Sequence, residues 1–225
     1  MLISIQQPEF FPWPGFFNKI KAVDRTVILD NVQFKKRYFE NRCKIKMGNN
    51  SKWLTVPVST KGKYLQKIGE VKVDNDFNWG PKAWNTLIHT YKKAPYWNDH
   101  KDFLYCTLVE SKWEYLLELN LYIIRYFSDY LGIPFDYKLA SEMDVNSSGS
   151  DLVLDCCLIM KANKYLSGKF GKEYLDEQAF KNAGVEIHYQ SFEVLRYPQI
   201  DNTFVYPLSI LDLILNIAKE TNEYI

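Results

Sequence analysis

The sequence has few cysteines, and they follow no pattern that would mark a metal or disulfide protein. Only four occur in 225 residues, and Cys156 and Cys157 are adjacent. No CxxC pair and no His/Cys cluster has the spacing of a zinc site, and neighbouring cysteines do not readily bridge to each other. We therefore expect reduced thiols in the cytoplasm and no bound metal, and the sequence does not identify a cofactor.

Charge of one sign and long apolar runs are also lacking. The chain carries 28 Lys and Arg against 27 Asp and Glu, so charge alone gives no reason to expect nucleic acid or an anionic membrane as partner. The N-terminus does not have the pattern of a signal peptide. Glu118, Asn120, Arg125 and Asp129 interrupt the most apolar stretch, which excludes a membrane span. A cytoplasmic protein is expected.

Aromatic residues are abundant instead. Sixteen Tyr, 14 Phe and 6 Trp make up 16% of the chain. A core built from large side chains accounts for most of them. Tyr and Trp also stack on sugars and nucleobases while keeping a polar group, so some of them could line a small-molecule site.

The first thirty residues predict a βαβ unit. Leu2–Ile5 and Thr26–Leu29 are β-rich runs, and Gly15–Val23 between them has apolar residues at helical spacing. Parallel strands place their following loops at one edge of the sheet. The Gln6–Trp13 loop and the segment after Asp30 should therefore face each other and shape a cavity.

Periodicity and breaker residues predict the rest of the fold. The predicted elements are strands at Lys52–Val58 and Ile68–Val73, three helices within Trp79–Leu131, a helix at Leu152–Ala162, a strand at Lys164–Gly168, a helix at Tyr174–Asn182, a strand at Val185–Tyr189 and a helix at Ser209–Lys219. The fold class is α/β, with a mixed, largely parallel sheet, βαβ units at both ends of the chain and a helical middle. We expect one domain, 1–225, with a helical insertion or subdomain at about 79–132.

The densest polar segment, Asp30–Lys44, follows the second predicted strand. Its candidates for binding phosphates and polar groups of a substrate are Asn31, Gln33, Lys36, Arg37 and Asn41. Arg42 is a candidate catalytic residue, as a donor to a developing oxyanion. Asp30, beside Lys36 and Arg37, could orient or deprotonate an amine, although a structural ion pair would use the same residues. A solvated basic loop is the simpler alternative for the segment.

A second segment, Gln6–Phe17, combines three prolines with aromatic residues. Its candidate binding residues are Gln6, Gln7, Pro12, Trp13 and Gly15. Gly15 begins a helix, whose free N–H groups could receive a phosphate or carboxylate. Structural packing explains the prolines equally well. Elsewhere, His188 and Asp212 are candidates for proton chemistry, but a lone His is usually structural and Asp212 could merely anchor its helix.

Short motifs spread over almost the whole chain form a recognisable set. They are Gln6-Gln7-Pro8, Pro12-Trp13, Gly15-Phe16, Leu29 to Phe34, Lys36-Arg37, Asn41-Arg42, Trp53 to Val58, Tyr165 to Gly168, Tyr174-Leu175, Tyr189-Gln190, Tyr197 with Gln199, and Ser209 to Asp212. Together they resemble the WbqC-like family. The chain departs from the family pattern at Gln6, where His is common, and at Cys43, so position 6 is interpreted as a hydrogen-bonding position.

The resemblance implies that the protein is encoded in a gene cluster for O-antigen and related lipopolysaccharide synthesis and acts in that pathway. It also adds Ser167, Gln190 and Gln199 as candidate binding residues. The first hypothesis is a transferase that attaches an acyl or aminoacyl group, glycyl among the options, to the amine of a nucleotide-linked amino-deoxysugar. A second is a nucleotidyl-transferase-like or adenylate-forming enzyme, although the helix start at Gly15 lacks the histidines of that class. A third is a non-catalytic sugar-binding or scaffold protein that contacts other enzymes of the cluster.

Overall fold

A computed structural model describes residues 1–225 of the chain, apart from the side chain of Asn202. Its strands, in chain order, are β1 (Leu2–Gln6), β2 (Arg25–Ile28), β3 (Arg42–Met47), β4 (Asn50–Thr55), β5 (Tyr137–Leu139), β6 (Lys164–Ser167) and β7 (Glu186–Tyr189). Five of them form a wholly parallel sheet in the order β5-β2-β1-β6-β7. The antiparallel pair, β3 and β4, forms a separate hairpin. The predicted α/β class is confirmed, with parallel βαβ units at both ends of the chain.

The central strands are buried on both faces, which explains their aliphatic sequences. Ile3 and Ile5 of β1, and Val27 and Ile28 of β2, are almost fully buried. The polar exception on β1, Ser4, is opposite Thr26 in the register, and the two hydroxyl groups lie 2.9 Å apart. The sheet interior therefore leaves neither hydroxyl without a partner.

Seven α-helices surround these strands. They are α1 (Pro14–Lys21), α2 (Trp79–Tyr91), α3 (Trp97–Tyr105), α4 (Leu116–Leu131), α5 (Gly149–Ile159), α6 (Glu177–Asn182) and α7 (Ile210–Ile217). The three helices predicted for the middle of the chain are confirmed, and a π-helical turn at Cys106–Glu110 extends α3. Gly132 ends α4 in the left-handed conformation, at φ 66°. In the described part of the chain, no helix is both long enough and apolar enough to cross a bilayer.

Buried apolar residues form two clusters. One joins the helical middle to α1, the β3–β4 hairpin and α7, and it includes Phe10, Phe11 and Phe127. The other lies between the sheet, α5 and α6, and it includes Cys156, Cys157 and Tyr165. All four cysteines are free thiols, as expected from their spacing.

Three secondary-structure predictions were wrong. Ile68–Val73 is not a strand, because its first residues, Ile68–Glu70, form a 3₁₀ helix that bonds to the loop after β2, with Gly69 N–H donating to Asp30 O at 2.8 Å. The helix predicted from Tyr174 begins only at Glu177, because the Asp176 side chain caps it by accepting from Gln178 and Ala179 N–H. Strand β3 was missed, although Cys43 and Ile45 alternate with charged residues there.

Candidate functional site

The carboxyl edge of the parallel sheet collects the loops that follow each strand. Asp30 follows β2, Gln7 follows β1, Ser141 follows β5 and Gln190 follows β7. In the strand order β5-β2-β1-β6-β7, the chain passes from β1 to β2 in one direction and from β6 to β7 in the opposite direction. Ligands of open parallel sheets bind at this edge, near such a reversal of strand order. The edge is therefore the place to look for a site.

The two segments expected to face each other do meet, but inside the protein. The Phe10 N–H group donates to Phe39 O at 3.0 Å, and Asn120 Nδ2 donates to Pro8 O at 3.2 Å and Glu40 O at 2.8 Å. Phe10 and Phe11 are 1% exposed and pack against the helical middle. This junction belongs to the core, so the expected cavity between the two segments is not found there.

Open space lies instead beside Asp30. A cleft of about 640 Å³, called the polar cleft below, opens between the loops after β2 and β5 and the segment that follows β4. Its lining consists of Asp30, Asn31, Lys67, Gly69, Glu70 and residues 140–146. Four of these residues are acidic (Asp30, Glu70, Glu142 and Asp144), against one lysine. The cleft thus offers many hydrogen-bonding groups and a negative balance of charge.

Asp30 is held rigidly at the wall of the polar cleft. Its residue is 4% exposed, and its carboxylate accepts hydrogen bonds from Ser141 N–H at 2.8 Å and from the Ser141 hydroxyl group. Its own carbonyl oxygen accepts from Gly69 N–H. Donors that bind a carboxylate from one side fix its orientation and leave its remaining lone pairs directed elsewhere. Ser141 was not foreseen, because it lies 111 residues from Asp30 in sequence and the strand before it, β5, is only three residues long.

The expected neighbours of Asp30, Lys36 and Arg37, lie elsewhere. Among the described side chains neither forms an ion pair. Arg37 is exposed and stands at φ 64°, in a turn closed by the bond from Tyr38 N–H to Lys35 O. Neither residue lines the polar cleft, and Asp30 forms no ion pair with either, so the ion-pair interpretation of Asp30 was wrong.

Lys36 lines a second concavity, called the basic groove below, with a volume of about 540 Å³. Its walls are Gln33–Lys36 on one side and Thr60, Gly62, Lys63, Tyr64 and Gln66 on the other. Phe34 N–H donates to Gln66 O at 3.0 Å, and Gln33 Nε2 donates to Tyr64 O at 3.0 Å. The segment 60–70 therefore runs along 30–36, with the polar cleft at one end and the basic groove at the other.

A third group of candidates lies together at the β6 and β7 side of the edge. Gln190 Nε2 donates to Gly15 O at 2.8 Å and to Asn18 Oδ1 at 2.6 Å, and its N–H group donates to Ser167 O. The Trp13 ring lies directly on Gly15, where a Cβ atom would be 2.1 Å from it. Gly15 is thus required for the packing of Trp13, which covers the beginning of α1.

Asp212 belongs to a closed interior cluster, called the tyrosine network below. Its two carboxylate oxygens accept from Tyr91 Oη at 2.9 Å and from Tyr197 Oη at 2.7 Å, and it is fully buried. Gln199 accepts from Lys46 Nζ and from Val205 N–H in the same region. Burial raises the pKa of Asp212, while the two tyrosine hydroxyl groups and Lys46 lower it. These contacts attach α7 to α2, to β3 and to the loop before it.

The remaining candidates are dispersed. On the hairpin side, the Arg42 guanidinium lies 3.8 Å from the centre of the Trp53 ring, and Asn41 Nδ2 donates to Val56 O. Pro12 O accepts from Ile210 N–H, and Gln6 O accepts from Leu29 N–H. His188 Nε2 lies 3.2 Å from Glu186 Oε1 on the edge strand β7, three strands and about 14 Å from β2. Among the candidates, only Asp30 and Asn31 line the polar cleft.

Two buried carboxylates close to the end of β1 were also missed. Burial, with repulsion from Glu40, raises the pKa of Glu9 to about 8, and burial raises that of Glu40 to about 7. Glu9 is partly exposed as a residue, but its Oε2 atom is buried. Burial lowers the pKa of the nearby Lys19 to about 8, and its ammonium group donates to Ile5 O at 3.2 Å. No pattern distinguishes these residues from surface charges in the sequence.

A model of the WbqC-like protein family matches residues 7–224. The chain belongs to the WbqC-like protein family. It is also 30% identical over 224 residues to the uncharacterized protein Rv1507c of Mycobacterium tuberculosis (strain ATCC 25618 / H37Rv), which covers 99% of this chain and 96% of that protein. No solved structure matches the chain. The resemblance predicted from the motifs is confirmed, and the matched span includes both walls of the polar cleft.

Proposed function

We propose that this WbqC-like protein transfers an acyl or aminoacyl group, such as glycyl, to the amine of a nucleotide-linked amino-deoxysugar, and that the reaction takes place in the polar cleft. One observation carries the proposal, namely the Asp30 carboxylate held by Ser141 at the wall of an open cleft of about 640 Å³. The setting, cytoplasmic synthesis of surface polysaccharide such as O-antigen, comes from the family resemblance. Other enzymes of that pathway are its expected partners.

The charge of the polar cleft supports an amino sugar as the acceptor. Sugar hydroxyl groups need many donors and acceptors, and an ammonium group is attracted by carboxylates. Asp30, Glu70 and Asp144 supply acceptors, while Asn31 and Lys67 also supply donors. An acyl donor alone would not need this excess of acidic residues.

The chemistry requires a neutral amine beside an activated carbonyl carbon. The amine nitrogen forms the new C–N bond, its proton passes to Asp30, and the bond from the carbonyl carbon to the leaving group of an activated acyl donor breaks. Asn31 and Lys67 line the same cleft, and the proposal gives them the task of hydrogen-bonding the developing oxyanion. Holding the two reactants together contributes much of the rate. This assigns Asp30 as general base and Asn31 and Lys67 as positioning and stabilising groups.

Replacing Asp30 tests the proposal. The purified protein is incubated with UDP-, GDP- and dTDP-linked amino sugars and with acyl thioesters or aminoacyl donors, and products are detected by mass spectrometry. With a substrate pair that reacts, we expect Asp30→Asn to lower kcat by about 10²- to 10⁴-fold, as for loss of a general base. The folded state should survive, because the amide can still accept from Ser141.

Asp129→Asn is the matched control, since Asp129 is exposed on α4 and lies outside the polar cleft. Its kcat should stay within about twofold of the wild-type value. Full turnover by Asp30→Asn would refute the site. Turnover of nucleoside triphosphates instead of acyl donors would favour the nucleotidyl-transferase alternative, and binding of sugars without any turnover would favour the scaffold alternative.

A further inference from the structure

We propose that the basic groove binds the nucleoside diphosphate part of the substrate, with the base stacked on Tyr64 and the diphosphate between Lys36 and Lys63. This inference rests on the proposed function for the identity of the whole substrate. It divides the site in two, with the sugar in the polar cleft and the nucleotide in the basic groove. It also adds Lys63, Tyr64 and Gln66, which no sequence motif indicated.

The two concavities have opposite charge. The basic groove contains Lys35, Lys36 and Lys63 and no acidic residue, whereas the polar cleft contains four acidic residues and one lysine. Among the described side chains, none of the three lysines of the groove forms an ion pair, although Lys35 interacts electrostatically with the Glu40 carboxylate. A nucleotide-linked amino sugar has the complementary distribution, because its diphosphate is anionic and its amino sugar is not.

The two concavities are also adjacent. Asn31 lines the polar cleft and Gln33 lines the basic groove, so the two linings are two residues apart along the chain, at most about 7 Å. On the opposite wall, the adjacent residues Lys67 and Gln66 line the polar cleft and the basic groove, respectively, and Gln33 pairs with Lys67 in antiparallel orientation. The shallow space beside Gly62–Gln66 also reaches Glu70 of the polar cleft. One elongated ligand can therefore contact both.

An aromatic ring stands free at the basic groove. Tyr64 is 84% exposed, and the neighbouring Leu65 is 76% exposed. An exposed aromatic ring beside a row of lysines is an arrangement on which a nucleobase stacks, a contact worth about 1–3 kcal/mol. The Tyr64 carbonyl oxygen is held by Gln33, which fixes the backbone at the ring.

Gln66 provides a second, independent indication of a ligand. It lines the basic groove, is 8% exposed and donates through Nε2 to Ser59 O at 3.2 Å. Its Oε1 atom is buried and has no donor among the described residues. Buried acceptors are normally satisfied, so a ribose hydroxyl or base N–H group in the groove would supply the missing donor after a small rotation of the side chain.

Calorimetric titration with UDP, GDP, dTDP, uridine and inorganic pyrophosphate tests the inference without any acyl donor. We expect the wild-type protein to bind the nucleoside diphosphates. In the double variant Lys36→Ala with Lys63→Ala, the affinity for nucleoside diphosphates and for pyrophosphate should fall at least tenfold. Tyr64→Ala should lower the affinity for nucleoside diphosphates about tenfold and leave the affinity for pyrophosphate unchanged, because only a base can stack on the ring.

Lys61→Ala is the matched control, since Lys61 is exposed in the same loop and does not line the groove. All these side chains are exposed, and thermal unfolding will verify that the variants remain folded. Absence of nucleoside diphosphate binding by the wild-type protein, or equal weakening by Lys61→Ala, would overturn the inference. If the groove variants behave as expected and no acyl transfer is found, the nucleotide site stands and the proposed reaction fails. If acyl transfer is found but the groove variants bind nucleoside diphosphates as tightly as the wild-type protein, the proposed reaction stands and the nucleotide site fails.

Discussion

Asp30 in the polar cleft and Asp212 in the tyrosine network are both buried carboxylates that accept two hydrogen bonds from side chains or backbone nearby. Their surroundings differ. Both oxygens of Asp30 accept from one residue, Ser141, and Asp30 lines a cleft of about 640 Å³, whereas the oxygens of Asp212 accept from two tyrosines on different segments inside the core. Burial and hydrogen bonding therefore do not distinguish the two carboxylates, whereas access to open space does.

The largest expected effect separates the two carboxylates directly. Asp212→Ala leaves the hydroxyl groups of Tyr91 and Tyr197 without their acceptor in the core, which should lower the free energy of unfolding by about 3–5 kcal/mol. Urea unfolding followed by circular dichroism measures this change. Asp129→Ala, on the surface, should change it by less than about 0.5 kcal/mol. A loss below about 1 kcal/mol for Asp212→Ala would show that the network is not structural.

A third carboxylate, Glu9, extends the comparison to pH. Its pKa is raised from 4.5 to about 8 by burial and by Glu40, so between these values the folded state holds a proton that the unfolded state has lost. The stabilising contribution is complete below pH 4.5 and is lost as the pH rises through 8. The free energy of unfolding should fall by about 2–4 kcal/mol between pH 5 and pH 8.

Glu9→Gln stays neutral and should remove most of this fall, leaving a smaller slope from Glu40, whose pKa is raised to about 7. Lys19 titrates near pH 8 and above, so it contributes little in this range. Urea titrations at pH 5, 6.5 and 8 provide the measurement. Glu110→Gln, exposed after α3, is the control and should keep the wild-type slope. An unchanged slope in Glu9→Gln would contradict the assignment.

The smallest effects come from deleting one hydroxyl donor at each carboxylate. Tyr197→Phe removes one donor to Asp212 in the core and should lower the free energy of unfolding by about 1.5–3 kcal/mol. Ser141→Ala removes the hydroxyl donor to Asp30. Because Ser141 is exposed, water can take the place of this donor, and the free energy of unfolding should fall by less than about 1 kcal/mol. Chemical denaturation compares the two variants. Equal costs would mean that the polar cleft is as closed as the tyrosine network.

Much of the fold could be predicted from local patterns. The aliphatic runs of β1 and β2, the apolar period of α4 and the left-handed glycine at its end were all read correctly, because each depends on residues within a few positions. Asp30 could be predicted for the same reason, since a residue after a buried parallel strand lies at the carboxyl edge. The alternation in β3 was available and was overlooked.

The partners of each site residue could not be predicted in this way. Asp212 and Asp30 are similar in sequence, each a carboxylate beside aliphatic residues, yet one meets two tyrosines and the other meets Ser141. Gln190 and Gly15 come together across 175 positions. Ile68–Val73 has the composition of a strand, but its first residues bond to the loop after β2 and form a 3₁₀ turn.

Local sequence patterns suffice to predict the α/β class, the parallel strands at both ends of the chain, the helical middle and the membership of the WbqC-like family. The open space beside Asp30, the hydrogen bonds from Ser141, and the wall that the segment 60–70 gives to both the polar cleft and the basic groove are seen only in the folded chain. The two kinds of feature depend on contacts over different sequence distances. Periodicity and capping act over a few residues, whereas a cavity exists only where distant segments pack together and leave it unfilled.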